Sequence, residues 1–153
     1  MIGLPCSYPI RMRLSSLFWC AVPALACTGA CAQAFDTGLL AGQWAESVNN
    51  QFACRPGNVH HRFVLSADRK HLSFRLDRAW RIGGQEVREY GAQVLREEPS
   101  MLVIRYDDTV TGIPAGMREW ELLFIGPGAY RWRATFWRRG EYNDVIGVRC
   151  AAD

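Results

Sequence analysis

Apolar and polar residues alternate along most of the chain after residue 42, and turn-forming residues interrupt this alternation about every 8–12 positions. A period of two is typical of a β-strand that buries one of its faces. No stretch of residues 35–153 has a sustained helical period. The pattern therefore predicts one all-β domain of eight or nine antiparallel strands, arranged as an up-and-down barrel or, alternatively, as a β-sandwich.

The first predicted hairpin joins His60–Ser66 to His71–Leu76 through residues 67–70. Its register matters, because a slip of one residue would turn every side chain to the other face. This turn length pairs residues on one largely apolar face: Leu65 with Leu72, Phe63 with Phe74, and His61 with Leu76. The consistency of that face supports the register.

The second predicted hairpin joins Arg118–Ile125 to Ala129–Arg138. With residues 126–128 as a three-residue turn, its apolar face has three pairs: Phe124 with Tyr130, Leu122 with Trp132, and Trp120 with Ala134. The opposite face pairs Glu121 with Arg133. This division is the one expected of a half-buried sheet.

Shorter sequence patterns predict the remaining strands. A turn at Gly83-Gly84 sets Trp80 opposite Val87, and a later change of apolar phase predicts a β-bulge before Gly91. Further strands are predicted at Gly42–Ser47, Met101–Tyr106 and Val145–Cys150, with residues 107–117 as the one long connection.

Residues 1–34 have the features of a secretory signal peptide. Arg11 and Arg13 supply positive charge, Leu14–Ala26 is an apolar run, and Ala32-Gln33-Ala34 is a signal-peptidase site. The apolar run is shorter than a transmembrane helix normally requires. We therefore expect a mature domain at residues 35–153, located in the periplasm or secreted, with no transmembrane segment.

Two alternatives remain open for this leader. Met12 precedes Arg13 and would itself serve as the start of a signal peptide, to which residues 1–11 add nothing. Cys27 and Cys31 each follow small residues, as the acylated cysteine of a bacterial lipoprotein does. In the second case the mature chain would be anchored through one of these cysteines.

Removal of the leader leaves two of the six cysteines, Cys54 and Cys150. In an exported domain we expect them to form one disulfide, with two buried free thiols as the alternative. Cys54 follows the first strand and Cys150 ends the last, and these strands are neighbours only in a closed barrel. The disulfide therefore favours the barrel over the sandwich.

Residues 35–44 read FDTGLLAGQW. This segment resembles the opening motif of lipocalins and their calycin relatives, in which an F-D pair, a short helical turn and G-x-W lead into the first barrel strand. The resemblance implies that Trp44 closes one end of the barrel. It also implies that Arg149, in the last strand, lies across the Trp44 ring, where a cation–π contact would favour it.

Composition argues against several classes of function. Removing Arg11 and Arg13 from the 18 Lys and Arg residues leaves 16, against 15 Asp and Glu, which gives no basic field for nucleic acid. His60 and His61 point to opposite faces, and His71 lies roughly 16 Å from His61 along the hairpin, so no metal site is predicted. Serines outside the leader lie in no G-x-S-x-G or S-x-x-K context. We expect neither a cofactor nor catalysis.

The aromatic residues of the buried face admit two interpretations, the packed core of a small barrel or the lining of a cavity for one small ligand. The candidate ligand-binding residues of the barrel interior are Trp80, Tyr90, Tyr106, Trp120 and Trp132. Trp137, which the strand pattern places on the outer face beside Arg138 and Arg139, is a candidate contact for another protein or for the envelope.

Two functions follow from these interpretations. The first is a periplasmic, non-catalytic protein that binds a small apolar or amphipathic ligand. The alternative is a protein-interaction module, such as an inhibitor of an envelope-targeting enzyme, whose partner is an envelope protein. An open barrel interior would favour the first function, and a filled interior would favour the second.

Overall fold

The fold was determined as a computed structural model, which describes residues 33–48, 52–82 and 84–151. The predicted signal peptide up to residue 32 lies outside the described residues, together with the alternative start at Met12. The possible lipoprotein cysteines, Cys27 and Cys31, and the turn residue Gly83 also lie outside them.

Eight antiparallel strands close into a single up-and-down barrel, in which each strand pairs with the next and the last pairs with the first. Closure removes the exposed strand edges that a sandwich would keep. The barrel prediction is thus confirmed, with eight strands. They are β1 Gln43–Ser47, β2 His60–Leu65, β3 His71–Ile82, β4 Gln85–Glu98, β5 Met101–Tyr106, β6 Glu119–Gly126, β7 Ala129–Ala134 and β8 Ile146–Cys150.

The predicted registers of both hairpins are confirmed. In β2 and β3, Phe63 lies opposite Phe74, and the other two predicted pairs, Leu65 with Leu72 and His61 with Leu76, are also present. In β6 and β7, Leu122 lies opposite Trp132. Both hairpins have one face that must be buried, and this requirement allows only one register.

The predicted second hairpin is wrong in two details. Gly126 pairs with Ala129, so the turn has two residues, and the register shifts between Phe124 and Gly126. The second strand ends at Ala134 rather than Arg138. It ends there because β6 begins at Glu119, and beyond that residue no neighbouring backbone is left to pair with. Residues 135–145 therefore form a second long connection.

The predicted β-bulge before Gly91 corresponds to a large register shift between β3 and β4. Arg75 pairs with Glu89, whereas Trp80 pairs with Val87. The extra residues belong to β3. This shift bends the long β3–β4 hairpin at the point where it passes the end of the barrel.

One end of the barrel is closed by the segment that precedes β1. Asp36 accepts a hydrogen bond from the Gly38 backbone N–H and thereby caps a 3-10 helix at Thr37–Leu40. Gly42, with φ of 95°, then turns the chain into β1. Trp44 enters the barrel completely buried, and its Nε1 donates to the Leu40 carbonyl at 3.3 Å.

Arg149 covers this end, as the resemblance implied. Its guanidinium carbon lies 4.9 Å from the centre of the Trp44 ring. Its Nη2 donates to the carbonyls of Leu39 at 2.8 Å and Gly38 at 3.3 Å. Arg149 therefore ties β8 both to the indole of Trp44 and to the 3-10 helix.

The predicted disulfide between Cys54 and Cys150 is present, with its two Cα atoms 5.5 Å apart. It joins the β1–β2 connection to the end of β8. Because β8 pairs with β1 along the whole of β1, the bond reinforces the seam where the barrel closes.

Candidate functional site

The barrel is packed at the Trp44 end and open at the other. The Trp44 ring lies 5.6 Å from Phe124, 6.0 Å from Phe63 and 5.2 Å from Tyr130, measured between ring centres. Beyond Tyr130 the interior opens into a cavity of about 360 Å³. The residues that line it are Glu46, Ile82, Tyr90, Tyr106, Val110, Gly112, Ile113, Pro114, Met117, Trp120, Trp132, Asn143 and Val145.

A carboxylate lies in the wall of this cavity. Glu46 is two residues after Trp44 in β1, so its side chain lies on the same, inward face of the strand. Unlike Trp44, it lies at the open end of the barrel and is exposed to solvent. One carboxylate oxygen, Oε1, accepts hydrogen bonds from the Tyr130 hydroxyl at 2.6 Å and from Trp132 Nε1 at 2.7 Å. These two donors hold the carboxylate in place against the aromatic wall.

The hydrogen-bond chain continues to a buried histidine. The Tyr130 hydroxyl donates its one proton to Glu46, so His61 Nε2, 2.9 Å from the same oxygen, must be the donor in that contact. Burial lowers the pKa of His61, although the negative charge of Glu46 opposes this shift. A neutral His61 with its proton on Nε2 satisfies both hydrogen bonds that link Glu46, Tyr130 and His61.

The position of Tyr130 is set by the absence of a side chain in β8. Gly147 lies opposite Tyr130, and a Cβ atom at Gly147 would lie 2.0 Å from the Tyr130 ring. The ring therefore packs directly on the backbone of β8. This close approach brings the Tyr130 hydroxyl within reach of both Glu46 and His61.

The aromatic wall of the cavity lies next to these hydrogen-bonded residues and is formed by Tyr90, Tyr106 and Trp132. The Tyr106 ring centre lies 6.1 Å from that of Tyr90 and 6.3 Å from that of Trp132. Phe74 supports Tyr90 from below, with the two rings stacked 4.6 Å apart and 6° from parallel. These contacts fix the wall in one arrangement.

The hydroxyls of Tyr90 and Tyr106 make no hydrogen bond within the part of the chain that the structure describes. Burial raises the pKa of both, and the negative charge of Glu46 raises it further. Both residues therefore carry neutral hydroxyl groups at the cavity wall, and these groups are available to a bound molecule.

Trp120 completes the wall on the β6 side. Its Nε1 donates to the Met117 carbonyl at 2.8 Å, and its ring packs edge-on against Trp137 at 5.5 Å. The contact contradicts the prediction that Trp137 is an exposed contact residue, because the chain turns at Ala134 and brings Trp137 back onto the barrel. The exposed aromatic residues of this connection are Phe136 and Tyr142, with 54% and 39% of their surfaces accessible.

The connection between β5 and β6 lies over the mouth of the cavity. Arg118, buried at its end, donates to the carbonyls of Val110 at 3.1 Å and of Asp107. Val110 is buried under this connection and lines the cavity. Residues 107–118 thus form a tethered cover that narrows the entrance.

Four of the five predicted ligand-binding residues, Tyr90, Tyr106, Trp120 and Trp132, lie in the cavity wall. Trp80 does not, and 54% of its surface is accessible. It lines an adjoining depression, which shares Glu46, Ile82 and Tyr90 with the cavity. The register shift in β3 after Arg75 carries Trp80 past the end of the barrel.

Sequence reasoning missed Glu46. The signal was present, because Glu46 alternates in phase with Trp44 and therefore shares its inward face. An acid at an inward position of a barrel strand marks a site that differs from a simple apolar core.

A larger depression, of about 690 Å³, lies outside the barrel beside β2. Arg62, Arg69 and Arg75 line it, but Arg69 is paired with Glu97 and Arg75 with Glu89. Its open surface and its paired charges make it a weaker candidate than the barrel cavity.

The described residues contain no group of three or more His, Cys, Asp or Glu side chains able to hold a metal ion. Within the same residues, no helix is both long and apolar enough to cross a membrane.

Comparisons of the chain with protein-family models, with curated proteins and with solved structures found no match. The cavity and the residues in its wall are therefore the main indication of function.

Proposed function

We propose that the mature chain is a periplasmic or secreted, calycin-like protein that binds one small apolar or amphipathic molecule in the open end of its barrel, without transforming it. The supporting observation is the cavity of about 360 Å³ beyond Tyr130. Ligand-binding cavities typically measure about 300–1,000 Å³, so this one suits a small molecule. An eight-stranded barrel is wide enough to hold one such ligand.

The composition of the wall supports binding. Most of its side chains are apolar or aromatic, and few polar groups, such as Glu46 and the two tyrosine hydroxyls, face the space between them. This combination is typical of sites that hold an apolar body and orient it by a small number of polar contacts. The described wall contains no Ser, Thr, Cys or Lys side chain.

The closed end of the barrel supports the calycin-like assignment. Phe35 is buried, Asp36 caps the 3-10 helix, and Trp44 lies under Arg149, so each residue that carries the resemblance has a structural role there. The disulfide supports a location outside the cytoplasm, where such bonds persist. The intact mass of the exported protein tests this location, since a chain that starts at Phe35 is expected and an acylated Cys27 or Cys31 would identify a lipoprotein.

Binding can be tested with a neutral fluorescent probe, N-phenyl-1-naphthylamine. We expect saturable binding of one probe per chain, and loss of binding in Val145→Trp, which fills the cavity. Val64→Trp is the matched control, because Val64 lies on the outer face of β2 and does not line the cavity. Equal binding by the two variants would contradict the proposal.

Native mass spectrometry of protein purified from its own envelope tests the natural ligand. A co-purifying small mass that is absent from Val145→Trp would support the binding protein. A co-purifying protein would instead support the alternative, an interaction module whose partner is an envelope protein. The observation that favours this alternative is the exposed Phe136 on the long β7–β8 connection.

A further inference from the structure

The charge of the barrel cavity is negative. Among the described residues of its wall, Glu46 is the only Asp or Glu, and there is no Lys, Arg or His. No Lys or Arg residue in the described part of the chain lines it, whereas three arginines line the outer depression. A cavity whose described wall has no positively charged side chain disfavours anionic ligands, because an anion would meet the Glu46 carboxylate with no cation to offset its charge.

Glu46 has binding capacity that the protein does not use. Its Oε1 accepts from Tyr130 and Trp132, while Oε2 accepts no hydrogen bond from any described residue. No Lys, Arg or His of the described chain forms a salt bridge with this carboxylate. A cation supplied by a ligand would therefore meet an oriented and unpaired negative charge.

The aromatic wall adds a second attraction for positive charge. Four aromatic side chains, Tyr90, Tyr106, Trp120 and Trp132, surround the same space as the Glu46 carboxylate. Aromatic faces attract ammonium groups. The unbonded hydroxyls of Tyr90 and Tyr106 can also accept hydrogen bonds from an N–H group.

We infer that the cavity takes a small organic cation, in which one ammonium group bonded to Glu46 is attached to an aromatic or aliphatic body that packs against the aromatic wall. The inference rests on the proposed function and narrows its ligand class. A bare metal ion does not suit the site, since one carboxylate without two further ligands among the described residues cannot hold it.

A series of three compounds of nearly equal size tests the inference at pH 7, with dissociation constants measured by calorimetry. 2-Phenylethylamine is the cation, 2-phenylethanol is its neutral counterpart, and 3-phenylpropanoate is the anion. We expect the amine to bind at least about tenfold more tightly than the alcohol, which corresponds to the contribution of one charge-assisted contact. The propanoate should bind more weakly than the alcohol.

Glu46→Gln tests the carboxylate itself, because an amide oxygen can still accept from Tyr130 and Trp132 and so preserves the wall. We expect the preference for amine over alcohol to fall to about onefold in this variant, while the affinity for the alcohol stays unchanged. Glu119→Gln is the matched control, since Glu119 is exposed and does not line the cavity. This control should keep the full preference.

Equal binding of amine and alcohol by the native protein would overturn the inference, and so would a preference that persists in Glu46→Gln. Binding of none of the three compounds would also overturn it. In each of these cases the proposed function would still stand if the neutral naphthylamine probe binds and Val145→Trp abolishes that binding. If the probe result also fails, the proposed function falls as well.

Discussion

Replacing Trp44 by alanine removes the side chain around which the closed end of the barrel is packed. Trp44 is completely buried and contacts the rings of Phe63, Phe124 and Tyr130, and its indole N–H bonds to the Leu40 carbonyl. Large-to-small changes at such positions cost about 3–5 kcal/mol of unfolding free energy. We expect a loss in this range for Trp44→Ala.

Arg149→Ala should cost less, about 2 kcal/mol, because it removes two hydrogen bonds from a charged donor and one cation–π contact. The two losses should not add. The cation–π contact at 4.9 Å is lost in either single variant and can be lost only once, so the double variant should be about 1 kcal/mol more stable than the sum predicts.

Urea unfolding of the native protein, the two single variants and the double variant measures this coupling. Arg105→Ala, which removes an exposed arginine of β5, is the control, and its effect should add to that of Trp44→Ala. Trp44→Leu replaces Trp44→Ala in the cycle if the alanine variant does not fold. Additivity within about 0.3 kcal/mol for Trp44 and Arg149 would mean that the two side chains do not interact, and the calycin-like assignment would lose its main support.

Burial lowers the pKa of His61 in the folded protein, so the unfolded chain binds its proton first as the pH falls below about 6.5, and stability should decrease between pH 7.5 and 5. Urea unfolding of His61→Gln across this range should show a smaller decrease, and an equal decrease would refute the role of His61. Gly147→Ala should lower the free energy of unfolding by about 1–3 kcal/mol, since its Cβ would overlap the Tyr130 ring. Thermal unfolding measures this loss. Gly128→Ala is the control and should be nearly neutral, because no atom lies within 4 Å of its Cβ. Reduction of the Cys54–Cys150 bond should lower stability by up to about 4–5 kcal/mol in urea, and two titratable thiols in the oxidised protein would disprove the pairing.

The local pattern of the sequence was enough to predict the barrel strands and most of their registers. The pairing of Phe63 with Phe74 follows from alternation and turn length, because only one register buries the apolar face of that hairpin. The disulfide also follows from the sequence, since the predicted removal of the leader leaves one pair of cysteines. The places of Trp44 and Arg149 came from the resemblance, and the structure agrees with them.

Other features depend on contacts between distant parts of the chain. The strand that begins at Ala129 has an alternating pattern beyond Ala134, but it ends there because its neighbour begins at Glu119. The cover over the cavity depends on Arg118 bonding to carbonyls of residues before it, and no local pattern indicates such bonds.

The candidate site depends partly on the local sequence pattern and partly on contacts between distant parts of the chain. Alternation places Tyr90, Tyr106 and Trp132 on inward faces, and it does the same for Glu46. Whether those faces meet as a packed core or surround a cavity depends on the volume left between eight strands and on the single glycine, Gly147, that lets Tyr130 pack against the backbone. Sequence periodicity determines the direction of each side chain, but only the closed barrel determines which side chains meet and how much space remains between them.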